Sequence, residues 1–180
     1  MTAICVYCGS KSGVDDKFVV HARLLGKALL AEKISLVYGG ADIGLMGKIA
    51  DTVIAGGGKV TGVIPKILTN KEITNKGLTK LIVVESLHER KKVMEEISDG
   101  FIALPGGFGT LDELFEILSW YQLGVHHKPC GLLNTEGYYD NLLKFLDHSV
   151  KEQFVSQSHV DRLIVENNVS ELLKTMLHNI

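Results

Sequence analysis

Short apolar runs alternate with amphipathic ones along this chain, and that alternation restricts the fold more than any single motif. Ala3 to Cys8 reads as a strand ending at Gly9-Ser10. Residues 15 to 33 read as a helix, because Phe18, Ala22, Leu25 and Leu29 recur at spacings of four, three and four. Ser35 to Tyr38 is a second strand, closed by Gly39-Gly40, and Gly44 to Ala55 a second helix. Lys59 to Ile64 is a strand that Pro65 stops. Residues 66 to 79 are polar, carry no clear period and read as a loop. Leu81 to Val84, Gly100 to Leu104, Pro129 to Leu133 and Leu163 to Glu166 complete the strands. Leu87 to Asp99, Leu111 to Leu123, Tyr138 to Val150 and Val169 to Leu177 complete the helices. Short strands rich in Val, Ile and Leu, separated by helices, predict an α/β fold. It has three layers, with a parallel sheet of about seven strands and helices on both faces. In such sheets ligands collect beyond the carboxyl ends of the strands. Ser10, Gly39-Gly40, Glu85-Ser86 and Pro105-Gly106-Gly107 all fall at such ends.

The 180 residues suffice for one domain, residues 1–180, and are too few for two ordinary ones. A net charge of -2 gives no electrostatic case for a nucleic-acid or anionic-membrane partner. No apolar run is long enough to span a bilayer, and no signal peptide is visible at the start. Three cysteines fit a reducing cytoplasm better than a disulfide framework. Cys5 and Cys8 have redox-motif spacing but lie within a strand, where side chains three apart point to opposite faces. They read as core cysteines. His126-His127 has no third ligand spaced to help it hold a metal and reads as a surface turn. No metal is expected.

The chemistry concentrates in Leu104-Pro105-Gly106-Gly107-Phe108-Gly109-Thr110-Leu111-Asp112-Glu113. Three glycines at a strand-to-helix turn let the backbone approach a ligand without a Cβ in the way. The following helix aims its free N–H groups and positive dipole end into that turn, where an anion, best a phosphate, is held. Glu113 sits oddly beside a phosphate and is better placed to meet another part of the same ligand, such as a sugar. The usual nucleotide fingerprints fail. Gly47-Lys48 is followed by Ile49 and lacks a glycine five residues earlier, and Gly107-Phe108-Gly109 continues to Asp112 instead of glycine. Leu87-His88-Glu89-Arg90-Lys91-Lys92 opens a helix past another strand end. One reading is a solvated face paired with Glu95 and Glu96. The other turns Arg90, and with it Lys91, into the cleft to meet an anionic or nucleobase group, for which a planar, always-charged fork suits. Trp120, Tyr121 and Leu123 read as packing a core or a subunit interface rather than stacking on a base.

With these pieces in place the chain resembles the Lonely Guy family, similar to cytokinin-activating phosphoribohydrolases and once often labelled possible lysine decarboxylases. The family's Pro-Gly-Gly-x-Gly-Thr-x-x-Glu signature is met in full by Pro105 to Glu113. Its His-x-Arg-Lys element is met by His88, Arg90 and Lys91, and the likeness extends over nearly the whole chain. The resemblance implies a Rossmann-like fold and a homodimer. It implies hydrolysis of the N-glycosidic bond of a nucleoside 5′-monophosphate, AMP or an N6-modified AMP such as isopentenyl-AMP, to free base and ribose 5-phosphate. Arg90 and Glu113 would be the catalytic pair. Gly106, Gly107, Phe108, Gly109, Thr110, Leu111 and Asp112 would hold the nucleotide, with Lys91, Ser10 and Gly40 nearby. Glu72 and Ser119 resemble further substrate contacts, although Ser119 stands where the family commonly has threonine. No cofactor is required. Lysine decarboxylation would need a carbanion sink such as pyridoxal phosphate on a Schiff-base lysine, and no lysine here stands in a context suited to it. The alternative is a nucleotide-binding or sensing protein that keeps the pocket without fast turnover.

Overall fold

The computed structural model describes residues 2–69 and 75–180. Seven parallel strands form one sheet in the order β4-β3-β2-β1-β5-β6-β7. They are β1 (Ala3–Tyr7), β2 (Ser35–Tyr38), β3 (Val60–Pro65), β4 (Lys80–Val84), β5 (Gly100–Ala103), β6 (Cys130–Leu133) and β7 (Leu163–Glu166). The long helices are α1 (Asp16–Ala31), α2 (Gly44–Ala55), α4 (Leu87–Glu96), α5 (Phe108–Gln122), α6 (Asp140–Lys151) and α8 (Val169–His178). Single turns, α3 (Lys66–Thr69) and α7 (Gln157–Val160), lie between them. The three-layer expectation holds. The α3 turn occupies the start of the stretch read as a loop.

Alternation along the strands builds two cores, one on each face. Ile4, Val6 and Cys8 of the β1 segment pack with Leu25 of α1, Ile49 of α2 and Leu172 of α8. Cys5 and Tyr7 point the other way, toward Met94 of α4, Leu114 and Ile117 of α5 and Leu146 of α6. The two cysteines therefore lie on opposite faces, and all three cysteines are buried and free. Burial of each large aliphatic side chain contributes roughly 1.5–3 kcal/mol. Right-handed crossovers explain the layering: successive strands laid down in one direction put their helices on one face, and reversal of direction puts them on the other. The reversal lies between β1 and β5, which pair in register from Ile4 with Gly100 to Tyr7 with Ala103. No described helix is long and apolar enough to cross a membrane.

One expectation changes in the described structure. His126 is not part of a surface turn: it is buried, its ring lies 5.4 Å from that of Phe101, and Nε2 hydrogen-bonds to the Ile117 carbonyl at 2.9 Å. An imidazole can fill an aromatic core position if one ring nitrogen finds a partner, which the spacing of two histidines does not reveal. His127 alone is exposed. Trp120 and Tyr121 are half-buried, with Trp120 packed on the core as expected, and the apolar surface at this helix end belongs to Leu123 and Val125, 75% and 63% exposed.

Candidate active site

Where the strand order reverses, the chain leaves β1 and β5 in opposite directions, and their carboxyl ends open a crevice. The two exits are stitched together. Leu104 N–H donates to the Tyr7 carbonyl (2.9 Å), Gly9 N–H to the Pro105 carbonyl (3.1 Å) and Leu45 N–H to the Gly9 carbonyl (3.0 Å). The last bond brings the start of α2 to the same place. A cleft of about 230 Å³ results, with Ser10, Gly39, Arg90, Gly107, Thr110 and Glu113 on its walls.

The glycine turn forms one wall. Helix α5 starts at Phe108, with Gly107 at the cap position and no side-chain cap. The apolar period placed the start at Leu111, three residues later, because glycine and threonine in a first turn carry no hydrophobic signal. The first intrahelical bond runs from Leu111 N–H to the Gly107 carbonyl at 3.1 Å. The N–H groups of Phe108, Gly109 and Thr110 precede it, at the positive end of the dipole. A Cβ at Gly106 would collide with the Thr110 side chain and come within 2.9 Å of Gly9 N, so the close approach of the two strand exits requires glycine there.

Arg90 and Glu113 face each other across the floor. Ser86 caps α4, its hydroxyl accepting from Glu89 N–H at 3.1 Å, while the Glu89 carboxylate accepts from Glu85 N–H at 2.8 Å. That fixed start aims Arg90 at α5, with Nη2 3.1 Å from Glu113 Oε1. Their side chains are only 14% and 11% exposed. Burial pushes the Glu113 carboxyl up to about 7, against the opposing pull of the Arg90 guanidinium. A carboxyl so placed has both charge states within reach at neutral pH, as an acid or base of a reaction requires. Arg90 Nε is buried and has no partner among the described residues.

The three consecutive bases of α4 diverge. Lys91 spans Asp112 (3.1 Å) and Glu116 (3.0 Å) and clamps α4 to α5, while Lys92 stays outside, 3.8 Å from Glu96. Arg90 turns into the cleft, Lys91 does not, and the paired solvated face survives only at Lys92.

The model of the family described as possible lysine decarboxylase matches residues 46–176. A probable cytokinin riboside 5′-monophosphate phosphoribohydrolase of Oryza sativa subsp. japonica is 51% identical over 156 residues, 87% of this chain and 69% of the relative. A cytokinin riboside 5′-monophosphate phosphoribohydrolase of Arabidopsis thaliana is 47% identical over 173 residues, 96% of this chain and 81% of the relative. The chain belongs to the Lonely Guy family. Its fold is also that of solved carrier proteins. The molybdenum-cofactor carrier protein of Chlamydomonas reinhardtii has a TM-score of 0.73 at 22% identity, with 99% of each chain covered. The molybdenum cofactor binding protein of Rippkaea orientalis also has a TM-score of 0.73 at 22% identity, covering 98% and 97%. These two likenesses concern the fold alone.

Against that background, the Lonely Guy signature residues divide by position. Ser10, Gly107, Phe108, Gly109, Thr110, Arg90 and Glu113 come together at one cleft, and Gly106 packs beside it against Thr110 and Gly9. Gly40 lies one residue beyond the wall, with a φ of 83°, its carbonyl accepting from Asn75 N–H at 3.4 Å. Leu111 is half-buried and packs toward the core, and Asp112 is engaged with Lys91. Lys91 and Ser119 do not line this cleft. The Ser119 hydroxyl donates to the Phe115 carbonyl at 2.7 Å and edges a separate hollow beside Leu118 and Leu163. Glu72 lies outside the described residues. Sequence reasoning missed Gly39 and Met46, which also line the cleft. A Cβ at Gly39 would collide with Arg90 Nη2, so this glycine makes the room in which the guanidinium lies. The strand-end pair Gly39-Gly40 was the available signal; Met46 gave none.

Proposed function

We propose that this Lonely Guy protein hydrolyses the N-glycosidic bond of a nucleoside 5′-monophosphate, AMP or an N6-modified AMP, to the free base and ribose 5-phosphate. The observation that carries the reading is the buried Arg90–Glu113 pair, 3.1 Å apart, beside a helix start that no side chain among the described residues caps. The names of the plant relatives, similar over most of the chain, support the same reaction class.

In this reading the 5′-phosphate rests on the Gly106 to Thr110 backbone, flanked by Ser10 and Gly40, with Leu111 and Asp112 keeping the helix start in place. Glu72, Lys91 and Ser119 are proposed as further substrate contacts. Phosphate binding energy, remote from the reacting bond, positions the ribose. As the C1′–N bond breaks, positive charge builds on the ribose, and the Glu113 carboxylate stabilises it or takes a proton from the attacking water. The water supplies hydroxyl to C1′ and its proton ends on the base. Arg90 holds Glu113 and neutralises charge on the departing base or the phosphate. The protein works as a cytoplasmic homodimer, a reading supported by three free buried cysteines and by the apolar end of α5. Sedimentation as a monomer at micromolar concentration would contradict the dimer.

Glu113→Gln tests the chemistry. It keeps the shape and removes the charge, so AMP turnover falls by about 10²-fold or more while the AMP dissociation constant changes little. Arg90→Ala lowers turnover and weakens binding as well. Parent-like hydrolysis by Glu113→Gln would refute the assigned role.

A further inference from the structure

Three consecutive carbonyls of the glycine turn are each held by a donor from outside it. The Leu104 carbonyl accepts from the Tyr139 hydroxyl at 2.7 Å, the Pro105 carbonyl from Gly9 N–H at 3.1 Å, and the Gly106 carbonyl from the Tyr138 hydroxyl at 2.7 Å. Two of these donors are neighbouring tyrosines that reach the turn from the segment after β6, more than thirty positions away. They are themselves fixed. The Asn134 amide donates to Asp140 at 2.8 Å, and its side-chain oxygen accepts from Tyr139 N–H at 2.7 Å. The Tyr138 ring stands edge-on to Phe18 of α1 (5.8 Å) and to Tyr139 (4.8 Å).

A trans peptide is planar, and its N–H points opposite to its C=O. A carbonyl pinned on one side therefore fixes the following N–H on the other. With the Gly106 carbonyl turned to Tyr138, the Gly107 N–H leaves the turn on the face away from Tyr138. Tyr138 edges a neighbouring hollow beside Lys11 and Phe18, while Gly107 lies between that hollow and the cleft of Arg90 and Glu113. Glycine on its own would not keep this orientation, because it gives up more conformational freedom than other residues when held in one state.

We infer that Tyr138 and Tyr139 are positioning residues that hold the turn's carbonyls away from the cleft and so set its affinity for the substrate's phosphate. This rests on the proposed function, in which that turn takes the 5′-phosphate. Neither tyrosine touches the reacting bond. Their effect falls on phosphate-bearing ligands and not on the nucleoside part.

Tyr138→Phe removes one hydroxyl from a ring that is 47% exposed, a change the fold tolerates. Tyr139→Phe does the same at the buried end. The measurement is the dissociation constant of AMP, of adenosine and of inorganic phosphate for the parent and both variants, with thermal unfolding alongside and KM and kcat for AMP. The expected result for Tyr138→Phe is a rise of about three- to tenfold in the AMP and phosphate constants, the worth of one neutral hydrogen bond. The adenosine constant stays unchanged, and KM rises more than kcat falls. Equal weakening of AMP and adenosine, or an unchanged AMP constant in both variants, would overturn the positioning role. Equal affinity of the parent for AMP and adenosine would refute the phosphate reading itself, and with it this inference, and is visible before any variant is made.

Discussion

Glu113 is held between two opposing influences: burial, which favours its neutral form, and Arg90, which favours its charge. Burial wins, so the folded protein binds this proton more tightly than the unfolded chain, raising the group from 4.5 to about 7. Below pH 4.5 both states are protonated and the group is neutral toward stability. Between pH 4.5 and about 7 the unfolded chain ionises first, so stability falls as pH rises, and above 7 the loss is complete. Denaturant unfolding at pH 5 and pH 8 should show the parent losing more stability over that interval than Glu113→Gln, and an equal loss would count against the raised value. If the carboxylate is the working form, kcat/KM also falls as the pH drops through about 7. At this scale the sequence was partly legible. Glu113 and Arg90 both stood in recognisable motifs. Nothing in the run Arg90-Lys91-Lys92 tells which of three neighbours faces α5, because each successive residue turns by about 100° around a helix whose orientation is set by tertiary packing.

Elements, not single residues, decide where that pair meets. The Ser86 cap fixes the start of α4, Lys91 fastens α4 to Asp112 and Glu116 of α5, and Gly39 at the end of β2 leaves room for the guanidinium between them. Gly39→Ala should therefore displace Arg90 from Glu113 without disturbing either helix. AMP turnover is expected to fall by about 10²-fold, the scale of an ångström-size misplacement of a catalytic group. Stability should change by only about 1–3 kcal/mol, as for an added methyl in a packed site. Turnover at the parent rate would show that Arg90 reaches its position without this glycine. The seven strands were readable as short apolar runs, because most are buried on both faces, and the six long helices from hydrophobic period, because each buries a stripe. What escaped was short or polar: the α3 and α7 turns, the first turn of α5, and the tyrosine clamp after β6. The single turns and the first turn of α5 are too short or too polar to show a period, and the clamp is set by hydrogen bonds between distant segments, which leave no periodic trace.

At the scale of the molecule, the sheet reverses its strand order between β1 and β5, and the candidate site occupies the crevice that this reversal opens. The location was legible because strand ends rich in glycine mark the ligand side of a parallel sheet. The order of strands was not, since it depends on which crossovers the packed chain adopts. Fold alone does not separate hydrolysis from carriage: proteins named as molybdenum-cofactor carriers share the architecture at a TM-score of 0.73. The buried Arg90–Glu113 pair beside the glycine turn at the start of α5 is what argues for bond cleavage. The most direct test is to incubate the parent protein with AMP, isopentenyl-AMP and adenosine and to quantify free base and ribose 5-phosphate. Catalytic release of base and ribose 5-phosphate in equal amounts from at least one of the two nucleotides is expected, with adenosine turned over far more slowly. Binding of AMP without any release of base, or turnover of adenosine as fast as AMP, would contradict it.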